Sequence, residues 1–162
     1  MKKTLFATCV YVSAIVLANL LVAKFGPWFS LLNAFFLIGL DLSLRDSLHE
    51  RLGMLKVMGL VILSGTLSYS LNPAAGMIAV ASAVSFVSAN LADTAVYQKF
   101  IQKRWLVKSN LSNLAGAAVD SALFPLIAFG AFMPGIILGQ FLAKVAGGSL
   151  WSLIINYIKY SK

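Results

Sequence analysis

The sequence predicts an all-α integral membrane protein, a bundle of six transmembrane helices with both termini in the cytoplasm. Three observations predict it. Of the 162 residues, 60% are hydrophobic and 11% charged, against roughly 45–50% and 25% in an average soluble domain. The apolar residues fall into six long runs, and the basic residues gather at alternate ends of those runs. Five acidic residues, Asp41, Asp46, Glu50, Asp93 and Asp120, are too few to cover a soluble surface. A mean hydropathy of +0.88 excludes disorder.

The first run, residues 5–24, follows Met1-Lys2-Lys3. It exceeds the 7–15 residues or so of a signal-peptide core and five further runs follow, so it reads as a span. Gly26-Pro27 separates it from the second, 29–44. The third, 54–71, stops at Asn72-Pro73, a turn dipeptide. The fourth covers 76–97, the fifth 112–129, and the sixth 135–158 after Met133-Pro134. At about 20 residues per crossing, six helices use about 120 residues and seven leave almost no connections. These runs are too long and continuous for the strands of an outer-membrane barrel. The whole chain, 1–162, reads as one transmembrane domain.

Residues 44–56 differ from the rest. Leu44, Leu48, Leu52 and Leu55 recur at helical spacing with Arg45, Asp46, Glu50 and Arg51 among them. This is an amphipathic helix on the cytoplasmic surface, or an extension of the second span. Asp41 and Arg45 stand four apart and can bridge, whereas Asp46 and Glu50 at the same spacing repel.

The net charge of +8 would suggest nucleic acid in a soluble protein. Here all thirteen Lys and Arg except Lys24 and Lys144 fall in segments that an even number of spans places inside. That is the positive-inside pattern of a multi-pass inner-membrane protein, with basic loops facing anionic lipid. Trp28, Tyr69, Trp105, Tyr157 and Tyr160 near run ends suit an interfacial belt. Val16-Leu17-Ala18-Asn19-Leu20 is echoed by Val87-Ser88-Ala89-Asn90-Leu91. Three spans apart, the echo raises a 3+3 inverted repeat, a transporter architecture, although four matching positions do not separate it from coincidence.

A single His (His49), a single Cys (Cys9) and no Gly-rich phosphate loop leave no triad, metal site or nucleotide motif. The chain therefore reads as no enzyme, without cofactor, and ATP-driven work would need a partner subunit. The informative residues are polar ones within the apolar runs. A charge at a helix centre costs about 2.5–3.5 kcal/mol on insertion scales, so it usually faces a bundle interior. Asp120 lies about 12 Å into the fifth span and Lys144 about 15 Å into the sixth, both near the midplane and opposite in sign. Asn113, Gly116, Asp120 and Phe124 share one stripe of their helix, as do Gln140, Lys144 and Trp151 of theirs. Asn19, Asn33 and Asn90 add polar groups from three other spans. These eight, Asn19, Asn33, Asn90, Asp120, Phe124, Gln140, Lys144 and Trp151, are the candidate binding residues for a small-molecule substrate. Helix packing is the competing reading for each, and the row Gly135, Gly139, Ala143, Gly147 reads as a close helix contact. Asp93 and Asp120 are candidate proton carriers.

Specific strings carry a family resemblance. Ala18-Asn19-Leu20-Leu21-Val22-Ala23-Lys24, the stretch Gly39-Leu40-Asp41-Leu42-Ser43-Leu44-Arg45-Asp46-Ser47-Leu48-His49, and above all Asp120-Ser121-Ala122-Leu123-Phe124 followed by Gln140-Phe141-Leu142-Ala143-Lys144 resemble the vitamin uptake transporter family, also called the queuosine precursor transporters. The resemblance implies uptake of a deazaguanine such as 7-cyano-7-deazaguanine. It would have Asp120 accept two N–H groups, Gln140, Asn19 or Asn33 bond the other edge, Lys144 hold the carbonyl or keep Asp120 ionised, and Phe124 or Trp151 stack on the ring. Two other readings stay open: a binding subunit that needs a partner ATPase, and a small structural membrane protein whose polar residues only lock helices together. The oligomeric state, a homo-oligomer included, is left open by the sequence.

Overall fold

Glycines and prolines cut the chain into helices. The computed structural model describes residues 2–160, apart from the side chains of Lys2, Lys3, Asp46, Lys159 and Tyr160. The basic charges expected at both ends, the Asp46–Glu50 repulsion and the interfacial place of Tyr160 therefore lie outside the described residues. Helix α1 (Lys2–Phe25) ends where Gly26 takes φ +80, with its N–H on the Val22 carbonyl at 2.8 Å. Next come α2 (Phe29–Asn33), a π turn (Ala34–Ile38) and α3 (Gly39–Leu52). The junction residues Asn33, Ala34, Ile38 and Gly39 all keep right-handed helical dihedrals, so these pieces form one rod with an internal wide turn. Gly53, at φ +82, stops that rod and starts α4 (Met54–Leu71). The Asn72 side chain caps a short 3₁₀ turn through Ala74 N–H at 3.0 Å. Then follow α5 (Gly76–Lys99), α6 (Trp105–Phe129) and α7 (Pro134–Tyr160).

Five helical stretches among the described residues are long and apolar enough to cross a membrane: Thr4–Phe25, Met54–Leu71, Pro73–Lys99, Trp105–Phe129 and Pro134–Ile158. The second expected run, 29–44, is not one of them: the π turn divides it into short pieces, and the helix that continues it, α3, carries Asp41, Arg45, Glu50 and Arg51. The amphipathic segment is the far end of that rod, cut from α4 by Gly53. Leu48 is fully buried, in an apolar cluster with Tyr11, Ile15, Val57, Val61 and Phe86. Helix α6 begins at Trp105 rather than at 112, running through Lys108-Ser109-Asn110. Trp105 itself is buried, unlike the exposed Trp28, Tyr69 and Tyr157.

The packing closes a ring. Helix α1 lies against α4, α4 against α5, α5 against α6, α6 against α7, and α7 against the α2–π–α3 rod, which returns to α1. The ring is apolar outside, with Leu63, Leu91, Leu138 and Leu142 exposed, and polar inside, with Asn19, Asn33, Ser64, Ser68, Gln140 and Lys144 buried. That inversion of a soluble fold suits a lipid surround, where exposed apolar side chains carry no penalty and buried polar ones bond across helices.

Helix α7 meets the rod through small residues. An added Cβ on Gly147 would clash with the Phe35 carbonyl oxygen, and one on Gly39 would sit 2.7 Å from Gly147 backbone. The Ser43 hydroxyl donates to the Gly148 carbonyl at 3.0 Å and faces Ser152 Oγ at 3.0 Å. Gly139 abuts Leu31, while Gly135 meets nothing within 4 Å. Gly147→Ala is therefore expected to lower stability by about 1–3 kcal/mol through overpacking against rigid backbone. Gly135→Ala should be neutral or raise stability by up to about 1 kcal/mol through helix propensity. Thermal unfolding of the two variants in detergent measures the contrast.

Candidate functional site

A cavity lies at the centre of the ring. About 50 Å³ of it is open to the centres of water molecules. The rod contributes Ser30, Asn33, Asp41 and Arg45, and α1 contributes Ala18 and Asn19. Ser82 and Phe86 come from α5, Asp120 and Phe124 from α6, and Gln140 and Lys144 from α7.

One wall is a connected polar chain. Lys144 Nζ lies 2.7 Å from Asp120 Oδ2 and donates to Gln140 Oε1 at 2.9 Å and Ser121 Oγ at 3.2 Å. Those three acceptors match the three protons of an ammonium. Gln140 Nε2 donates to Ser30 Oγ at 2.8 Å, and the Ser30 hydroxyl donates to the Pro27 carbonyl. The chain reaches from α6 through α7 to the start of the rod. Gln140 and Lys144 sit one helical turn apart on α7, which is why one can hold the other. Lys144 is 2% exposed and Asp120 18%, so the carboxylate keeps an edge on the cavity while the ammonium is enclosed.

Further bonds tie α1 to the rod and to α4. Asn33 Nδ2 donates to the Ala18 carbonyl at 2.9 Å, and Asn19 Nδ2 to Ser68 Oγ at 3.1 Å, Ser68 in turn donating to the Ser64 carbonyl at 2.8 Å. Each Asn is thus fixed by its amide nitrogen. Phe124 packs edge-on to Phe129 with ring centres 6.0 Å apart.

A second ion pair closes the floor. Arg45 of α3 reaches across the ring interior to lie 2.8 Å from Asp93 Oδ1 of α5, the two side chains 2% and 4% exposed, and its guanidinium stands 5.8 Å from the Phe86 ring centre. Gly116 lies beside the pair, where an added Cβ would meet Asp93 and Arg45 at ordinary contact distances of 3.5 and 3.7 Å. Farther out on the same side, the Tyr97 hydroxyl donates to Glu50 Oε1 at 2.8 Å.

Six of the eight sequence candidates share the cavity: Asn19, Asn33, Asp120, Phe124, Gln140 and Lys144. Asn90 is buried but outside the lining. Trp151 lies on the seam between α7 and the π turn, its indole N–H donating to the Phe36 carbonyl at 3.1 Å. A π turn shifts the helical bonding register, and Trp151 bonds a carbonyl within it. Asp41, Arg45 and Asp93 belong at the cytoplasmic edge by their sequence position, yet all three are buried. Asp41 and Arg45 are buried because the rod stays packed within the ring past the end of its apolar run, and Arg45 there meets Asp93 of α5. One signal was present: Asn33, Asp41 and Arg45 are spaced by eight and four, a single helical stripe.

The vitamin uptake transporter family matches residues 3–158 of the chain. Comparison with curated proteins and with solved structures finds no match.

Proposed function

Because the chain belongs to the vitamin uptake transporter family, we propose that it imports a queuosine precursor across the bacterial inner membrane by alternating access. The substrate is 7-cyano-7-deazaguanine or a similar small planar base. Membership makes the protein a multi-pass membrane transporter of vitamin-like substrates, and the cavity chemistry supports the narrower reading. The observation that carries it is that the Asp120–Lys144–Gln140 chain lines the same cavity as Asn19 and Asn33.

A deazaguanine offers adjacent N–H donors on one edge and a carbonyl acceptor beside them. Asp120 is a carboxylate with one oxygen on Lys144, so its other oxygen can accept from that edge. Gln140 and Lys144 stand beside it to meet the carbonyl, while the side-chain carbonyls of Asn19 and Asn33 serve remaining N–H groups. Phe124 stacks on the ring face, a contact worth about 1–3 kcal/mol for a base on an aromatic.

For the transport cycle, the α2–π–α3 rod is the sixth crossing. Its segments of 5, 5 and 14 residues rise about 35 Å, enough for a core about 30 Å thick. It also fills the one place in the ring between α7 and α1. Both termini are then cytoplasmic. In the sequence echo, Ala18 and Ala89 both line the cavity, in keeping with an inverted repeat that rocks about this site.

The test is uptake of labelled 7-cyano-7-deazaguanine by cells that neither make it nor carry another transporter. Expected are saturable uptake and competition by related deazaguanines but weaker competition by adenine. Equal competition by all purines would overturn the substrate assignment. Uptake by the purified protein in liposomes, with no other subunit, excludes dependence on a partner ATPase.

A further inference from the structure

The buried charges do not cancel. Among the described residues the bundle interior holds three carboxylates, Asp41, Asp93 and Asp120, and two cations, Arg45 and Lys144. Asp93 is matched to Arg45 at 2.8 Å and Asp120 to Lys144 at 2.7 Å. Asp41 is left over. It is 4% exposed, it lines the cavity, and its Oδ1 has no hydrogen-bond partner among the described residues.

We propose that Asp41 is the proton-binding site that couples transport, taking up one proton from the outer side with the substrate and releasing it inside. This rests on the transport reading above. An ionised carboxylate enclosed at this depth is costly unless compensated, and one positive charge completes the tally.

A proton fits the site better than a metal cation. A sodium-like ion needs several oxygens around it, whereas the groups facing Asp41 are mixed in kind. They are Tyr11 from α1, Arg45 on its own helix, Asp120 from α6 and Lys144 from α7. Two of these are cations, which repel a metal ion, and no group of three or more metal-ligating side chains exists among the described residues. The titratable residues of α4, Lys56 and Tyr69, are exposed and do not face the site. Protonation needs no cage: the carboxylate becomes a carboxylic acid, with one O–H formed and no other bond changed. Asp93 and Asp120 are less suited to the role, because protonating either would strand a buried cation.

Two measurements on the full chain in lipid test this. The first needs no substrate: infrared difference spectra between acid and alkaline pH. A protonated-carboxyl carbonyl band is expected in the wild type, and its loss in Asp41→Asn but not in Glu50→Gln, whose carboxylate lies outside the cavity. Should the Asn variant not fold, Asp41→Glu is read instead, with the band expected to move. A band unchanged in the Asp41 variants, or no band in the wild type, overturns the proposal. The second uses proteoliposomes and labelled 7-cyano-7-deazaguanine. An inward proton gradient should drive accumulation in the wild type, and Asp41→Asn should lose accumulation while retaining exchange of internal for external label. Accumulation retained in that variant, or driven by sodium instead, overturns the proposal. Absence of any exchange in the wild type would count against the substrate assignment alone, leaving the infrared result to decide the proton site.

Discussion

Lys144→Met is expected to reduce uptake of the labelled base by two to three orders of magnitude. The ammonium holds Asp120, Gln140 and Ser121 at 2.7, 2.9 and 3.2 Å, and a methionine of similar length holds none of them. Breaking a buried ion pair from one side costs about 3–5 kcal/mol, mostly through the charge left unpaired. At about 1.4 kcal/mol per tenfold, that corresponds to at least a hundredfold. Part of the loss will appear as poorer folding, so the double variant Asp120→Asn/Lys144→Met is the decisive companion. Removing both charges together relieves the stranded carboxylate, and residues in direct contact are not additive. The double variant should regain most of the thermal stability lost in Lys144→Met while uptake stays absent. A double variant that transports normally would make the pair packing alone and remove the site from the cavity.

Arg45→Met carries the largest expected effect on stability. Its partner Asp93 is 4% exposed, so the variant strands a carboxylate between α3 and α5 at about 3–5 kcal/mol. That is a large share of the roughly 5–15 kcal/mol that holds a domain folded. Glu50→Gln is the control. Lys108 lies 4.0 Å from Glu50, whose side chain is 35% exposed, and such pairs contribute about 1 kcal/mol or less. Unfolding of the purified variants in detergent should show Arg45→Met strongly shifted and Glu50→Gln close to wild type. Equal shifts would mean that the α3–α5 ion pair is not a main tie of the ring.

Much of the site was legible before any fold was known. Asp120 and Lys144 stand out because no other ionisable residues lie so deep in apolar runs, and helical spacing adds Gln140 and Phe124 to their stripes. Asn19 and Asn33 follow from the same logic of polar groups in apolar surroundings. Asp41 and Arg45 escaped it. They lie where the second apolar run gives way to charges, and a local reading ends the membrane segment there. Whether such a charge meets solvent or a bundle interior depends on what packs against it. Trp151 shows the opposite case: an aromatic on the right face was drawn instead to a carbonyl of the π turn.

The sequence by itself determined the class of the protein, most helix boundaries and the deep polar pair, since these depend on composition and on distance along the chain. The break at Gly26 also marked itself, this residue taking the positive φ that side chains resist, whereas Gly53 cuts a segment that reads as continuous. The closing of the ring was decided only in three dimensions. A π turn set against Gly147 lets the rod fit between α1 and α7, and that fit carries Asp41 and Arg45 inward. Neighbouring residues do not encode this, because it arises from contacts between segments more than a hundred residues apart, such as Ser43 with Gly148 and Ser152.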